Sequence, residues 1–431
     1  MNFLKRQSPV RIIAMGFALV ILIGSVLLSL PCSIRDGVTV RYIDALYMST
    51  SAVCVTGLVT LDVGDTFTPL GQFFVAMLIQ IGGLGVTAVG TGVILAMGKK
   101  VNLKARNLIR EAGNLDSGKG VIRFVRLVFL TTITFELTGA ALSFLVFQRR
   151  FAPLKAVGVS LFHSVAAFNN SGFDMLGGGQ NLIPYQDDVF LNLVTCALVI
   201  LGGIGFLVIR EVIEKRFRWK KFSMHTKVVL FMSLVLTAAG TVLLKLTEDI
   251  TWLGAFFTSV SARTAGFSTF PLGSFSGAGL LTVIVLMVIG ASPGSTGGGI
   301  KTTTCYVLFE GIRSSATNTS EKAFRYAVPV DAFRKAAVIT LLALGIVLTG
   351  TYILVILEPG VPFLDALFEM SSAFGTAGLS TGISTGLCDA AKLLTILIMF
   401  IGRLGPLTIA SLWYFTKGER VSFPEGNIAI G

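Results

Sequence analysis

The sequence predicts an all-α polytopic membrane protein. Four parallel span–pore-helix–span repeats should surround a central pore, giving eight transmembrane helices and four re-entrant half-helices. Three observations lead there. Of 431 residues, 53% are hydrophobic and 13% are Asp, Glu, Lys or Arg, with a mean hydropathy of +0.81; soluble domains carry about 25% charged residues. Eight long apolar segments occur, near 10–31, 70–97, 121–147, 189–209, 225–245, 276–312, 334–357 and 391–415, against about 20 residues needed for one span. Between them a short apolar segment ending in a glycine-containing polar stretch recurs four times.

The first span follows a short basic N-terminus, Met1 to Arg11. The run from Ile12 to Cys32 is too long for a signal peptide and lacks a clear small-residue cleavage site, so it reads as a transmembrane helix with a cytoplasmic N-terminus. The sixth apolar segment is interrupted by Ser-Pro-Gly-Ser-Thr-Gly-Gly-Gly at 292–299. The short segments begin near Tyr42, Leu154, Thr251 and Phe363. At about a dozen residues each is too short to cross, which suits a half-helix that enters and leaves on one side.

The formal charge of +12 divides unevenly. The N-terminus, the loops near 98–126, 210–227 and 301–335, and the C-terminal tail hold 26 Lys plus Arg against nine acids; the opposite side holds eight against 13. The positive-inside rule then makes both termini cytoplasmic in a multi-pass plasma-membrane protein. The basic face also suits a cytosolic partner or anionic membrane lipid. Such a chain is neither a soluble enzyme nor a nucleic-acid-binding domain. Its five scattered cysteines form no CxxC pair, so small buried apolar residues are expected there.

Internal repetition carries the most information. Residues 42–58 (YIDALYMSTSAVCVTGL) align without a gap on 363–379 (FLDALFEMSSAFGTAGL), and the other copies read FHSVAAFNNSGF, ending at Phe173, and FFTSVSARTAGF, ending at Phe267. Gly57, Gly172, Gly266 and Gly378 close the four short segments. A second glycine signature follows each one: IGGLG (81–85), LGGIG (201–205), IGASPG (289–294) and IGRLG (401–405). The repeats should occupy 1–98, 99–218, 219–325 and 326–431, the last with the C-terminal tail. Two spans per repeat give all four the same orientation. Four extended backbones entering from one side can then converge on an axis, where carbonyl oxygens replace an ion's hydration shell. Glycine permits the required backbone, and half-helix C-termini turned to the axis favour cations.

Order and motifs together resemble the Trk/Ktr/HKT superfamily of potassium transporters over essentially the whole chain. Length and the ending PEGNIAIG are similar to its KtrB-type membrane subunits. The resemblance implies a selectivity filter at Val55-Thr56-Gly57, Asn170-Ser171-Gly172, Thr264-Ala265-Gly266 and Thr376-Ala377-Gly378. Glycine at all four third positions implies potassium permeation, because serine in the first repeat accompanies sodium preference in this superfamily. It implies an intramembrane gating loop formed by Ala291, Ser292, Pro293, Gly294, Ser295, Thr296, Gly297, Gly298 and Gly299, with Arg403 beside it. It further implies a homodimer seated on a cytosolic nucleotide-binding KtrA-type regulatory ring. No covalent cofactor is expected; potassium is the substrate, held at filter carbonyls, with sodium as the alternative.

Other features compete with this reading. Gly294 to Thr302 nearly spells a phosphate-binding loop, but Ile300 interrupts it and no strand precedes it. Gly83-x-Gly85-x-x-Ala88 lies inside an apolar span and suits helix contact better than dinucleotide binding. Glu136 should pair helices, His163 should pack in the second short helix, and Arg263 should restrain the third loop through backbone or through Asp44, Asp365 or Glu369. The acids Asp62, Asp65, Asp174, Asp187, Asp188, Glu248 and Asp249 should face outward, where each alone reads as an ordinary solvated residue and together they would raise the local cation concentration. A membrane-embedded enzyme built on Glu136, His163 or Arg263 would need those residues clustered. A non-conducting sensor subunit would show no ion flux.

Overall fold

A computed structural model describes residues 9–96, 120–329 and 331–411. Apart from a two-residue-per-strand hairpin, Lys322–Ala323 with Tyr326–Ala327, its regular structure is helical. The helices are α1 (Pro9–Ser29), α2 (Tyr42–Cys54), α3 (Pro69–Leu84), α4 (Val86–Ala96), α5 (Val121–Phe147), α6 (Pro153–Phe168), α7 (Val189–Gly203), α8 (Phe206–Glu214), α9 (Met224–Thr247), α10 (Trp252–Ser261), α11 (Gly277–Val288), α12 (Thr302–Thr317), α13 (Asp331–Leu357), α14 (Phe363–Gly375), α15 (Asp389–Leu404) and α16 (Pro406–Ser411). One single-turn helix, Val63–Thr66, lies between α2 and α3.

Within α1, α5, α9 and α13 runs a stretch long and apolar enough to cross a membrane. Two helix pairs pass the same test while bent: α3 with α4, at 101°, and α7 with α8, at 98°. That makes four such spans among the described residues, or six with each bent pair counted once. Large apolar side chains such as Leu19, Leu130, Leu234 and Leu341 stand exposed along the long helices, which suits contact with acyl chains.

The second glycine signature does more than allow close packing. Gly85, Gly205 and Gly405 have φ of 85°, 93° and 89° with ψ of 133°, 143° and 140°. L-residues avoid this conformation, so each glycine ends one helix and lets the next leave at a new angle. A break is expected from sequence only at 292–299, yet inner helices break at three other signatures too. Two of those bends are close to perpendicular, at 101° and 98°.

Packing between long and short helices also recurs. A Cβ on Gly24 or Gly240 would overlap the Oγ of Ser49 or Ser259, one on Gly139 the Oγ of Ser164, and one on Gly350 would lie 3.3 Å from Met370 Sδ. Small residues at such crossings bring backbones close enough for van der Waals contact, the main attraction between helices in lipid. The serines then donate across the crossing: Ser49 to Ile21 O at 2.7 Å, Ser164 to Glu136 O at 2.6 Å and Ser259 to Thr237 O at 2.9 Å. Side-chain caps start three of the inner helices. Thr68 accepts from Gly71 N, Asp188 from Leu191 N and Ser276 from Gly279 N, each worth about 1 kcal/mol.

The cysteines correct one expectation. Cys54 and Cys196 are buried, but Cys32 and Cys388 are exposed, because both lie in the connections flanking helices and outside the apolar core.

Candidate functional site

The short helices α2, α6, α10 and α14 end alike. The residue two before each closing glycine lies in the left-handed region: Val55 (φ 55°), Asn170 (58°), Thr264 (74°) and Thr376 (50°). Three of these are β-branched, and each costs about 1–3 kcal/mol in that conformation. Hydrogen bonds closing the helix ends offset the strain. Thr56 N donates to Ser51 O at 2.8 Å, Ser171 N to Ala166 O at 2.9 Å, Ala377 N to Ser372 O at 2.9 Å and Gly266 N to Ser261 O at 3.3 Å. The closing glycines then have φ of 95°, 69°, 77° and 80°. The sequence pattern marks these glycines but gives no sign of the strained residue before them.

The four glycines meet in chain order. A Cβ added to Gly57 would overlap the Ser171 carbonyl. One on Gly172 would stand 2.7 Å from Ala265 O, and one on Gly266 2.8 Å from Ala377 O. One on Gly378 would overlap the Thr56 carbonyl and close the circle. The Gly266 position also lies 3.1 Å from the Cα atoms of both Gly172 and Gly378. A single side chain at any position would therefore fill the centre or displace a neighbouring carbonyl. Val55, Thr56, Asn170, Ser171, Thr264, Ala265, Thr376 and Ala377 are all buried.

The segment from Ala291 to Gly299 packs against this ring. Ser292 N donates to Gly203 O at 3.0 Å, Thr296 N to Gly202 O at 3.3 Å, and Phe206 N to Gly294 O at 3.0 Å, so the segment is stitched into the α7–α8 bend. Thr296 Oγ1 donates to Phe168 O at 3.4 Å, at the end of α6. Lys301 Nζ folds back onto Gly297 O (2.7 Å) and Gly298 O (3.3 Å). Arg403 donates from Nη1 to Thr296 O and from Nη2 to the carbonyls of Gly82 and Gly83. It thereby ties the segment to the end of α3. Its partners are carbonyls, and no carboxylate pairs with it among the described residues.

Gly82, Gly202 and Gly402 give the inner helices their approach. A Cβ on each would overlap the carbonyl of Val53, Phe168 or Phe374, each two residues before a strained residue. The same glycine signatures thus bend the inner helices and seat them against the ends of the short ones.

Other residues singled out from sequence lie around this centre. Arg263 does not reach Asp44, Asp365 or Glu369. It turns back to α9, donating to Ser233 O at 2.9 Å and Thr237 Oγ1 at 3.2 Å. Asp44 instead belongs to Lys392 and Arg41, while Glu369 accepts from Ser380 and Ser384. Glu136 accepts from Asn169 Nδ2 at 2.8 Å and Gln80 Nε2 at 3.2 Å, joining α5, α6 and α3. His163 is buried between Phe147 and Phe267 and bonded to Thr195 Oγ1 at 2.9 Å. Glu136, His163 and Arg263 thus have separate partners. Asn170 satisfies its surroundings with Oδ1 accepting from Thr264 Oγ1 (3.2 Å) and Nδ2 donating to Phe168 O and Val199 O.

On the far side of the ring, Asn181 Nδ2 donates to Gly172 O at 3.0 Å and to Asp174 Oδ2 at 3.1 Å. Asp62 and Asp65 accept from Gly179 N and Gly178 N. Burial pushes the Asp174 carboxyl up to about 7; the Leu176 N–H opposes this, and the charges of Asp62 and Asp65 add to it. Much of the acidic face thus holds loops together: Asp188 caps α7, and Glu248 accepts from Ser276.

Apolar helices bent at glycines, short helices ending in strained loops and four backbones meeting at one point define a multi-pass membrane transport protein. The family profile of TrkH, a cation transport protein, matches residues 7–248 and 222–416, and the chain belongs to that family. It is 38% identical to Ktr system potassium uptake protein B of Bacillus subtilis (strain 168), over 99% of this chain and 97% of that protein. It is 35% identical to the potassium/sodium uptake protein NtpJ of Enterococcus hirae, over 99% and 98%. The crystal structure of the potassium transporter TrkH from Vibrio parahaemolyticus superposes with a TM-score of 0.71 at 20% identity, covering 93% of this chain and 85% of that one. These relatives are named as transporters, not enzymes.

Proposed function

We propose that this chain takes up potassium across the plasma membrane through a channel-like pore. The carrying observation is the ring of four closing glycines, each approached by the next segment's carbonyl in chain order. In this reading the filter is Val55-Thr56-Gly57, Asn170-Ser171-Gly172, Thr264-Ala265-Gly266 and Thr376-Ala377-Gly378. Their carbonyls stand in for water around the ion, and the partly negative ends of four short helices favour a cation. The eight apolar segments act as eight spans in four repeats, 1–98, 99–218, 219–325 and 326–431, with both termini in the cytoplasm. Ala291–Gly299 is the gate, held shut by Arg403 and Lys301. The membrane potential drives inward flux with about 2.3 kcal/mol per charge per 100 mV.

The relatives' names support potassium as substrate, and one of them names sodium as well. Sodium permeation or coupling is therefore the second reading. The word "system" in a relative's name supports a separate component, which we take to be a cytosolic nucleotide-binding regulator docked on the basic face of a homodimer. Potassium and sodium fluxes into proteoliposomes holding the purified chain test the proposal. Faster potassium entry supports it; equal or faster sodium entry favours the second reading, and no flux of either ion removes both.

A further inference from the structure

The gate segment and the filter share a hydrogen bond. Gly298 N donates to Thr376 Oγ1 at 2.9 Å, and both residues are buried. Thr376 is one of the four strained residues, with φ 50°. A second contact lies beside it. A Cβ on Gly297 would overlap Thr264 Oγ1 and lie 2.8 Å from Thr264 Cβ, and the Thr264 hydroxyl pairs with the Asn170 amide. Three of the four strained residues are thus linked to one another or to the segment through polar side chains. Val55, the fourth, has no polar side chain for such a link.

The consequence is mechanical. Moving the segment away from the ring breaks the Gly298–Thr376 bond and leaves a buried N–H without an acceptor. Relaxing Thr376 out of the left-handed region moves the same hydroxyl away from Gly298. Neither element changes without the other losing a partner. Lys301 binds the carbonyls of Gly297 and Gly298 from the other side, so the two glycines are held between an ammonium and two threonines.

We propose that Thr376 couples the filter to the gate: its hydroxyl holds the 291–299 segment closed, and the ions in the filter bias the segment through it. This rests on the filter and gate assigned above. Coupling of this kind is reciprocal, so a change at Thr376 must alter gating as well as permeation.

The test uses the full chain in proteoliposomes with potassium as the ion and no cytosolic partner. Thr376→Val keeps the shape and removes the acceptor; basal flux should rise on the order of tenfold, the value for losing one buried hydrogen bond. Thr376→Ser restores the hydroxyl and should bring flux well below that of Thr376→Val. A Val variant as quiet as the parent, or a Ser variant as active as Val, overturns the coupling. If the Val protein does not reach the membrane, Gly298→Ala decides. Its Cβ would sit 2.8 Å from Thr376 Cγ2 and should raise flux, and parent-like flux overturns the proposal. Deleting 294–298 separates the two levels. A deletion that conducts beside a quiet Thr376→Val removes the coupling alone, whereas a deletion as quiet as the parent removes the gate on which it rests.

Discussion

Lys392 Nζ lies 2.6 Å from Asp44 Oδ1, although 348 residues of chain separate them. Both side chains are buried, and the pair joins the first short helix, α2, to the last inner helix, α15. Arg41 extends it, reaching Asp44 at 3.0 Å and Asp389 at 3.0 Å. The contact ties the first short helix to the last inner helix beside the four glycines.

Removing Lys392 leaves the buried Asp44 carboxylate with only the exposed Arg41 opposite it, at a cost below the about 3–5 kcal/mol of a fully stranded buried charge. Lys392→Met should lower the thermal unfolding midpoint of the detergent-solubilised protein. The double variant Asp44→Leu with Lys392→Met should recover most of the loss, since no charge is then left unpaired. A double variant as unstable as the single one would mean that the pair stabilises through hydrogen bonding to the rest of the ring.

Arg403 binds carbonyls on both sides of the contact between the 291–299 segment and α3. Arg403→Ala should therefore free the segment. Partner-independent potassium flux should rise by about ten- to a hundredfold, the equivalent of the about 1.5–3 kcal/mol of one charge-assisted hydrogen bond. Reduced uptake at normal membrane levels would make Arg403 a support of the fold instead.

Asp174 sits beside Asn181, which also bonds the Gly172 carbonyl. With its carboxyl pushed up to about 7, Asp174 is charged above that pH and neutral below it. Uptake from dilute potassium should fall by about twofold as external pH drops from about 8 to about 6, because the mouth loses a negative charge. Asp174→Asn should show the lower rate at both pH values. A variant that keeps the parent's pH profile would assign the effect elsewhere.

The fourfold order of short helices and closing glycines was legible because both features are local. A dozen apolar residues, then a glycine, is a pattern within one stretch of chain. The strain at Val55, Asn170, Thr264 and Thr376 was not legible, since these side chains do not advertise a positive φ and only the packed helix end imposes it. Breaks at Gly85, Gly205 and Gly405 were hidden for a related reason: a glycine in an apolar run reads equally as a packing site. The partners of Arg263, and the contact of Glu136 with Gln80 and Asn169, depend on which helices lie side by side. No spacing in the sequence carries that information.

The central claim is that the ring of four glycines selects potassium. Serine at Gly57 or Gly378 would have to adopt φ of 95° or 80° and place its Cβ against the carbonyl of Ser171 or Thr56. The most direct measurement is the ratio of potassium to sodium flux in proteoliposomes for the parent, Gly57→Ser and Gly378→Ser. The parent should prefer potassium, and each serine variant should lose on the order of tenfold of that preference, the effect of displacing one oxygen ligand by about 1.4 kcal/mol. An unchanged ratio in folded, conducting variants would contradict the account.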